Sequence, residues 1–94
     1  MDPSTWINPH IPPDPRIRSI GVTGDEIICK LQDGRKLSLP LAWSERLSAA
    51  TREQRHNVVI LDDGELAHWP DVGEFLSAQG MLYATKARLL RRPA

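Results

Sequence analysis

The 94-residue sequence has a single cysteine, Cys29, and no long apolar run. One cysteine cannot form an internal disulfide, so the chain is not a small secreted scaffold held by bridges, and a reducing cytoplasm is its expected setting. A membrane-spanning helix needs about 18 consecutive apolar residues, and no run approaches that length, so we expect no contact with a membrane. The N-terminus also lacks the basic start and apolar core of a signal peptide.

Net charge is absent as well. Twelve basic and twelve acidic residues cancel, so the long-range field that attracts nucleic acid to basic proteins is weak for the molecule as a whole. Charge does segregate locally, because residues 62–74 contain five carboxylates and no Lys or Arg, whereas every charged residue after Glu74 is basic. These two segments are the candidate charged surfaces.

The sequence lacks the patterns on which catalysis and metal binding usually depend. Its six serines lie in no nucleophile-elbow sequence and share no motif with His10, His56 or His68. One cysteine and three scattered histidines offer no paired zinc ligands, and there is no glycine-rich phosphate loop. We therefore predict a protein that is not an enzyme and that needs no cofactor or metal.

Proline is plentiful, and five of the eight prolines fall within the first fifteen residues. Each removes a backbone donor and fixes one dihedral angle, so residues 1–15 are predicted to form an extended arm. Trp6 and Ile7 in this arm would gain by leaving water. Packing of the arm on its own domain is the favoured interpretation, and packing on a second subunit of a homodimer is the alternative.

Residues 16–94 are predicted to form a single α+β domain. The segments IRSIGV, GDEIICKLQ and RKLSLPL alternate apolar and polar residues, and Thr23-Gly24-Asp25 and Asp33-Gly34 separate them. An Asp-Gly pair between such segments is a strong hairpin signal, so a three-stranded antiparallel meander is expected, closed by Pro40. The apolar segments VVIL and ELAHWP, on either side of Asp62-Asp63-Gly64, predict one or two further strands.

Helical spacing appears after the meander and again near the C-terminus. Trp43, Leu47 and Ala50 recur at spacings of four and three, and a break follows where Thr51 and Gln54 match a capping box. Ser77 is expected to open a longer C-terminal helix with a basic end and an apolar stripe: Ala78, Met81, Leu82, Thr85 and Leu89. The predicted fold is thus a small antiparallel sheet packed against two or three short helices.

The stretch HWPDVGEF, which begins at His68, concentrates chemically capable groups. Structural roles account for each of them: Trp69 as a core residue like Trp43, Pro70 as the end of a strand, and His68 on the opposite strand face. Asp71 is expected to cap the next helix in a capping box with the glutamate three residues later. This interpretation makes the stretch a joint between a strand and a helix.

Residues spread over 16–82 together resemble a small bacterial family. They are, in order, Trp43, Arg46-Leu47, Ala50-Thr51, Gln54-Arg55, Asn57, His68-Trp69-Pro70-Asp71, Leu76-Ser77 and Gly80-Met81-Leu82. The family is catalogued as domain of unknown function 2442, and the resemblance implies an α+β fold with a short antiparallel sheet and no enzymatic activity. In that family the domain occurs alone, joined to a helix-turn-helix, or encoded beside a small toxin-like partner, which implies a regulatory or antitoxin-like role.

The sequence departs from the family pattern directly after WPD. Relatives continue with further acids, whereas Gly73 and Phe75 replace two of them here. The departure leaves Asp71, Glu74 and His68, too few oxygen ligands for a hard cation, which generally takes six or more.

Two non-catalytic functions follow. The favoured one is a small cytoplasmic protein-binding regulator, antitoxin-like or an inhibitor of the kind a phage or mobile element carries, whose partner has a basic surface. Its predicted binding residues are Trp6 as the aromatic anchor and four carboxylates as the charged rim: Asp62, Asp63, Glu65 and Glu74.

The alternative is a nucleic-acid-binding regulator that uses a basic C-terminal cluster: Lys86, Arg88, Arg91 and Arg92. Cations at a helix end also complement the helix dipole, so a purely structural role accounts for this cluster as well. Too few residues remain after residue 82 to form a helix-turn-helix.

Overall fold

The computed structural model describes the backbone of residues 14–90 and the side chains of residues 14–84. Of the predicted arm, only Asp14 and Pro15 fall in this range. Trp6, Arg91 and Arg92 therefore lie outside the described residues, and so do the side chains of Lys86 and Arg88.

The described chain forms six strands and three α-helices. The strands are β1 (Ile17–Val22), β2 (Glu26–Leu31), β3 (Lys36–Pro40), β4 (Val59–Leu61), β5 (Leu66–Trp69) and β6 (Glu74–Ser77), and the helices are α1 (Glu45–Ser48), α2 (Arg52–His56) and α3 (Ala78–Leu90). Single turns of 3-10 helix occupy Leu41–Trp43 and Asp62–Gly64. The predicted α+β class is confirmed.

The first sheet is the predicted antiparallel meander, in the order β1-β2-β3. Its first turn is held by Thr23, whose hydroxyl accepts a hydrogen bond from the Glu26 amide at 2.9 Å. At the second turn Gly34 has φ +98°, a value that glycine tolerates far better than residues with a side chain. The inner face of this sheet supplies half of the buried core: Ile17, Ile27, Cys29, Leu31, Leu37 and Leu39.

The second sheet is also antiparallel, in the order β4-β5-β6. Ala67 and Trp69 on β5 are fully buried, whereas Leu66 and His68 are half-buried on the opposite face, as the alternation predicts. Strand β6 corrects the prediction from sequence, which assigned Glu74 to the first turn of a helix. Its backbone pairs instead with β5, with Glu74 opposite Trp69.

The two sheets meet through Gly64. This residue has φ +94°, and a Cβ atom placed on it would lie 3.0 Å from both the backbone nitrogen and oxygen of Ile17. Real Cβ atoms do not approach backbone so closely without strain, so only glycine fits here. The close approach places the start of β5 beside the start of β1.

The helices begin where hydroxyl side chains satisfy free backbone donors. The capping box at α2 is confirmed: the Thr51 hydroxyl accepts from the Gln54 amide at 3.1 Å, and the Gln54 side chain accepts from the Thr51 amide at 2.8 Å. The Ser77 hydroxyl likewise accepts from the Gly80 amide at 2.9 Å at the start of α3.

The sequence predicts that Trp43 and Trp69 are both core residues, and the structure confirms this only for Trp69. Trp69 is fully buried, and its indole nitrogen donates to the Arg55 carbonyl at 3.0 Å. Trp43 is 40% exposed, because it lies in a single 3-10 turn whose buried residue is Leu41, and the next buried position belongs to Leu47 of α1. Among the helices of residues 14–90, none is long and apolar enough to cross a membrane.

Candidate functional site

Among the described residues, the outer face of the second sheet exposes several large apolar side chains to water. The strand register places Val59 opposite His68 and His68 opposite Phe75, with Leu61 opposite Leu66 in the next row. We call these five side chains the outer apolar face. Phe75 is 52% exposed and Val59 is 44% exposed, so a large part of this apolar surface faces water.

The two aromatic rings of this face, those of His68 and Phe75, stack on each other. The His68 and Phe75 rings stack with centroids 4.0 Å apart and an interplanar angle of 9°. Such stacking gives the face a flat aromatic centre, which suits contact with another apolar or aromatic group.

The first sheet differs in this respect. Its outer face carries the half-buried Ile28 among four polar side chains, Glu26, Lys30, Lys36 and Ser38, and the Ser38 hydroxyl donates to the Glu26 carboxylate. A polar outer face is stable in water without a covering element. The contrast identifies the second sheet as the one whose outer side is suited to contact with other polypeptide.

An acidic turn borders the outer apolar face where β4 leads into β5. We use this name for Asp62, Asp63 and Glu65. Asp62 and Asp63 have φ values of 52° and 56°, a left-handed conformation that costs non-glycine residues about 1 to 2 kcal/mol each. Backbone strain of this kind persists only where the surrounding structure fixes the conformation. Here the turn ends at Gly64, which packs closely against the Ile17 backbone.

Arg16 ties part of this turn to the start of β1. Its guanidinium forms an ion pair with Glu65 at 3.1 Å and donates to the Asp62 carbonyl at 3.4 Å. Within the described residues no ion pair involves the carboxylate of Asp62 or Asp63. These two carboxylates therefore carry the exposed negative charge of the turn.

Glu74 lies apart from the acidic turn. It faces Trp69 across the β5-β6 ladder, at the end of the sheet opposite to Leu66 and Ser77. One of its carboxylate oxygens accepts from the Ser44 hydroxyl at 2.6 Å, and the other accepts from the Phe75 amide at 2.9 Å. The structure thus brings three of the four predicted rim carboxylates together and gives the fourth an internal partner.

The residues of the WPD motif join the second sheet to the helices. The Asn57 side chain donates to the Asp71 carboxylate at 3.0 Å, and the Arg46 guanidinium donates to the Gly73 carbonyl. Asp71 is therefore not a helix cap, and its predicted capping box with Glu74 is wrong, because a turn and strand β6 follow it. The hydrogen-bond partners give this motif a structural role.

Two titratable groups within residues 14–84 have a pKa that is clearly displaced from its ordinary value. Burial raises the pKa of the Cys29 thiol to about 11, which suppresses the nucleophilic thiolate. The Arg35 amide, by donating to Asp33 in the second turn, lowers the pKa of that exposed carboxyl. No group of three or more His, Cys, Asp or Glu side chains in this range has the geometry to hold a metal ion.

The basic cluster falls at and beyond the end of α3. Lys86 and Arg88 lie within this helix, and Arg91 and Arg92 lie outside the described residues. Nucleic-acid binding by these four residues stays a prediction.

The outer apolar face was not predicted from the sequence, although the sequence contains its signal. Val59 and Leu61 alternate along β4 as Leu66 and His68 do along β5. Phe75 completes the row only when EFLS is treated as a third strand, and those four residues also suit the start of a helix.

The family described as protein of unknown function (DUF2442) matches residues 17–87. The chain belongs to this family. No curated protein matches the sequence of this DUF2442 member. Its fold is similar to the crystal structure of a protein of unknown function from Rhodospirillum rubrum, with a TM-score of 0.67 and 24% identity, over 77% of this chain and 89% of that chain. At this identity the likeness concerns the fold alone.

Proposed function

We propose that this DUF2442 protein is a small, non-enzymatic regulatory module of the cytoplasm that binds a partner protein with a basic surface, in the manner of an antitoxin or an inhibitor. The observation that carries the proposal is the outer apolar face with the acidic turn at its border. Apolar area bordered by charge is the usual composition of a protein-binding surface.

The apolar part is suited to supply the affinity. Aromatic anchors dominate the energetics of many protein interfaces, and Phe75 is the most exposed aromatic of this face. Each Å² of apolar surface removed from water contributes about 25 cal/mol. We propose that Trp6, which the sequence predicts as an anchor, adds to this surface from within the arm.

The acidic turn is suited to supply steering. Exposed charges at the rim of an interface mainly raise the association rate and its dependence on salt. Asp62 and Asp63 are expected to have the largest effect, because no ion pair with a described residue neutralises them. Glu65 pairs with Arg16 and Glu74 accepts from Ser44, so neutralising either is expected to change association less.

The test begins with a tagged protein that co-purifies its partner from the native host, followed by reconstitution from the two purified components. Binding kinetics are then measured at two ionic strengths. The double variant Asp62→Asn/Asp63→Asn is expected to associate more slowly and with a weaker dependence on salt, and Trp6→Ala to dissociate faster.

A matched control removes the same charge elsewhere. The variant Asp25→Asn/Glu53→Gln changes two exposed carboxylates in the first sheet's turn and in α2, and its association rate is expected to equal that of the wild type. Unchanged rates in both the acidic-turn variant and Trp6→Ala would place the interface elsewhere on the protein.

A further inference from the structure

We propose that residues 1–13 pack across the outer apolar face of their own molecule. Such packing is a property of the free protein in the absence of a partner, so it goes beyond the proposed function. The outer side of the second sheet combines five apolar or aromatic side chains, and no described element covers Phe75 or Val59.

The described chain begins at the border of this face. Asp14 and Pro15 line the same surface depression as Leu66 and Ser77, and Leu66 belongs to the outer apolar face. The ion pair of Arg16 with the acidic turn holds this entry point. Whatever precedes Asp14 therefore starts beside Leu66, at one end of the outer apolar face.

The length of the segment suits the dimensions of the sheet. A polyproline-type chain rises about 3.1 Å per residue, so Ile11 lies about 9 Å and Trp6 about 25 Å from Asp14 along the chain. Adjacent strands are about 4.8 Å apart, and side chains two positions apart on one strand are about 6.6 Å apart. In an extended conformation the chain is therefore long enough for Ile11 to contact the row that contains His68 and Phe75, and for Trp6 to contact the far edge of the sheet.

The composition of the segment suits an apolar contact. Residues 1–13 include Trp6, Ile7 and Ile11, four prolines and no Lys or Arg, with Asp2 as the single acidic residue near the far end. Prolines limit the freedom of the free chain, which lowers the entropy lost on docking. The four residues after α3 are Arg-Arg-Pro-Ala, which offer no large apolar side chain and are not an equivalent candidate.

Docking of this kind has a consequence for recognition. It would hold Trp6 beside the outer apolar face before any partner arrives, so that less order is lost when a complex forms. The arm then covers part of the face in the free protein, and a partner would bind a composite surface of Trp6, the uncovered part of the face and the acidic turn.

A spin label on the arm of the full chain tests the proposal. The variant Asn8→Cys carries a nitroxide, whereas buried Cys29, with its raised pKa, is expected to resist the reagent. Amide NMR signals of Val59, His68 and Phe75 are expected to lose most of their intensity, and those of Ile28 and Ser38 in the first sheet to keep it. Equal loss in both sheets, or loss in neither, would overturn the proposal.

Two controls distinguish packing within one molecule from packing between two copies and from contact with a different face. In an equimolar mixture of isotope-labelled protein without the nitroxide and unlabelled protein with it, signals of the second sheet are expected to stay intact. Their loss would show that the arm packs on a second copy, and the proposal would fail. Phe75→Lys is expected to restore the signals of the spin-labelled chain, whereas Tyr83→Lys, at a residue that is 74% exposed on α3, is expected to leave them weak.

Discussion

Replacing Gly64 by alanine should destabilise the protein more than the same change at Gly34. The two glycines have nearly equal backbone angles, φ +94° and +98°, so the strain of a left-handed alanine, about 1 to 2 kcal/mol, is common to both. Their surroundings differ. A Cβ atom on Gly34 meets nothing within 4 Å, whereas one on Gly64 lies 3.0 Å from the Ile17 backbone and 3.1 Å from the Arg16 Cβ atom.

The difference between the two variants therefore isolates the contact between the sheets. Forcing extra atoms into a packed site costs about 1 to 3 kcal/mol, and we expect Gly64→Ala to lose that much more free energy of unfolding than Gly34→Ala. Urea denaturation followed by circular dichroism measures both values. With a slope of about 1 to 3 kcal/mol per molar urea, the difference amounts to a shift of about 1 M in midpoint.

Equal losses at Gly34 and Gly64 would refute this reasoning. They would mean that β1 moves away from the 62–64 turn without cost, and that the contact does not hold the two sheets together. The entry point of the arm beside Leu66 would then also lose its structural basis.

Two further predictions concern buried groups. Trp69→Ala is expected to lower the free energy of unfolding by about 3 to 5 kcal/mol, and Trp43→Ala, at a residue that is 40% exposed, by less; equal losses in urea denaturation would contradict the structure. The Cys29 thiol is expected to resist alkylation at pH 8 until the protein unfolds. Because its pKa is about 11 in the folded protein and its ordinary value is 9.0, stability conferred by the neutral thiol is fully present below pH 9 and falls as pH rises through 11, by about 2.7 kcal/mol in total. A free energy of unfolding that stays constant over this range would contradict that assignment.

Local pattern alone determined much of this fold. The meander follows from alternation and from the Asp33-Gly34 turn, because a period of two commits one face of each strand to the core. The start of α2 follows from Thr51 and Gln54, whose side chains satisfy donors only three residues away. Burial of Cys29 follows from its place in the alternation. Each of these features depends on neighbours in sequence, so the sequence suffices to predict it.

Tertiary contacts decided the rest. Trp43 occupies a helical apolar position in sequence, yet the chain folds there into one 3-10 turn, in which Leu41 is buried and Trp43 is 40% exposed. The acids Asp71 and Glu74 match a capping box, yet Asn57 and Ser44 bind them, and both partners come from distant parts of the chain.

The outer apolar face is the clearest case. The four residues EFLS suit a helix start or a strand, and only pairing with β5 makes them a strand that places Phe75 beside His68. Once paired, the period of two sends Phe75 to the side away from the core, whatever its hydrophobicity. The sequence alone determined which segments are apolar, and the tertiary structure decided which apolar side chains face water, because strand pairing rather than local preference sets the register.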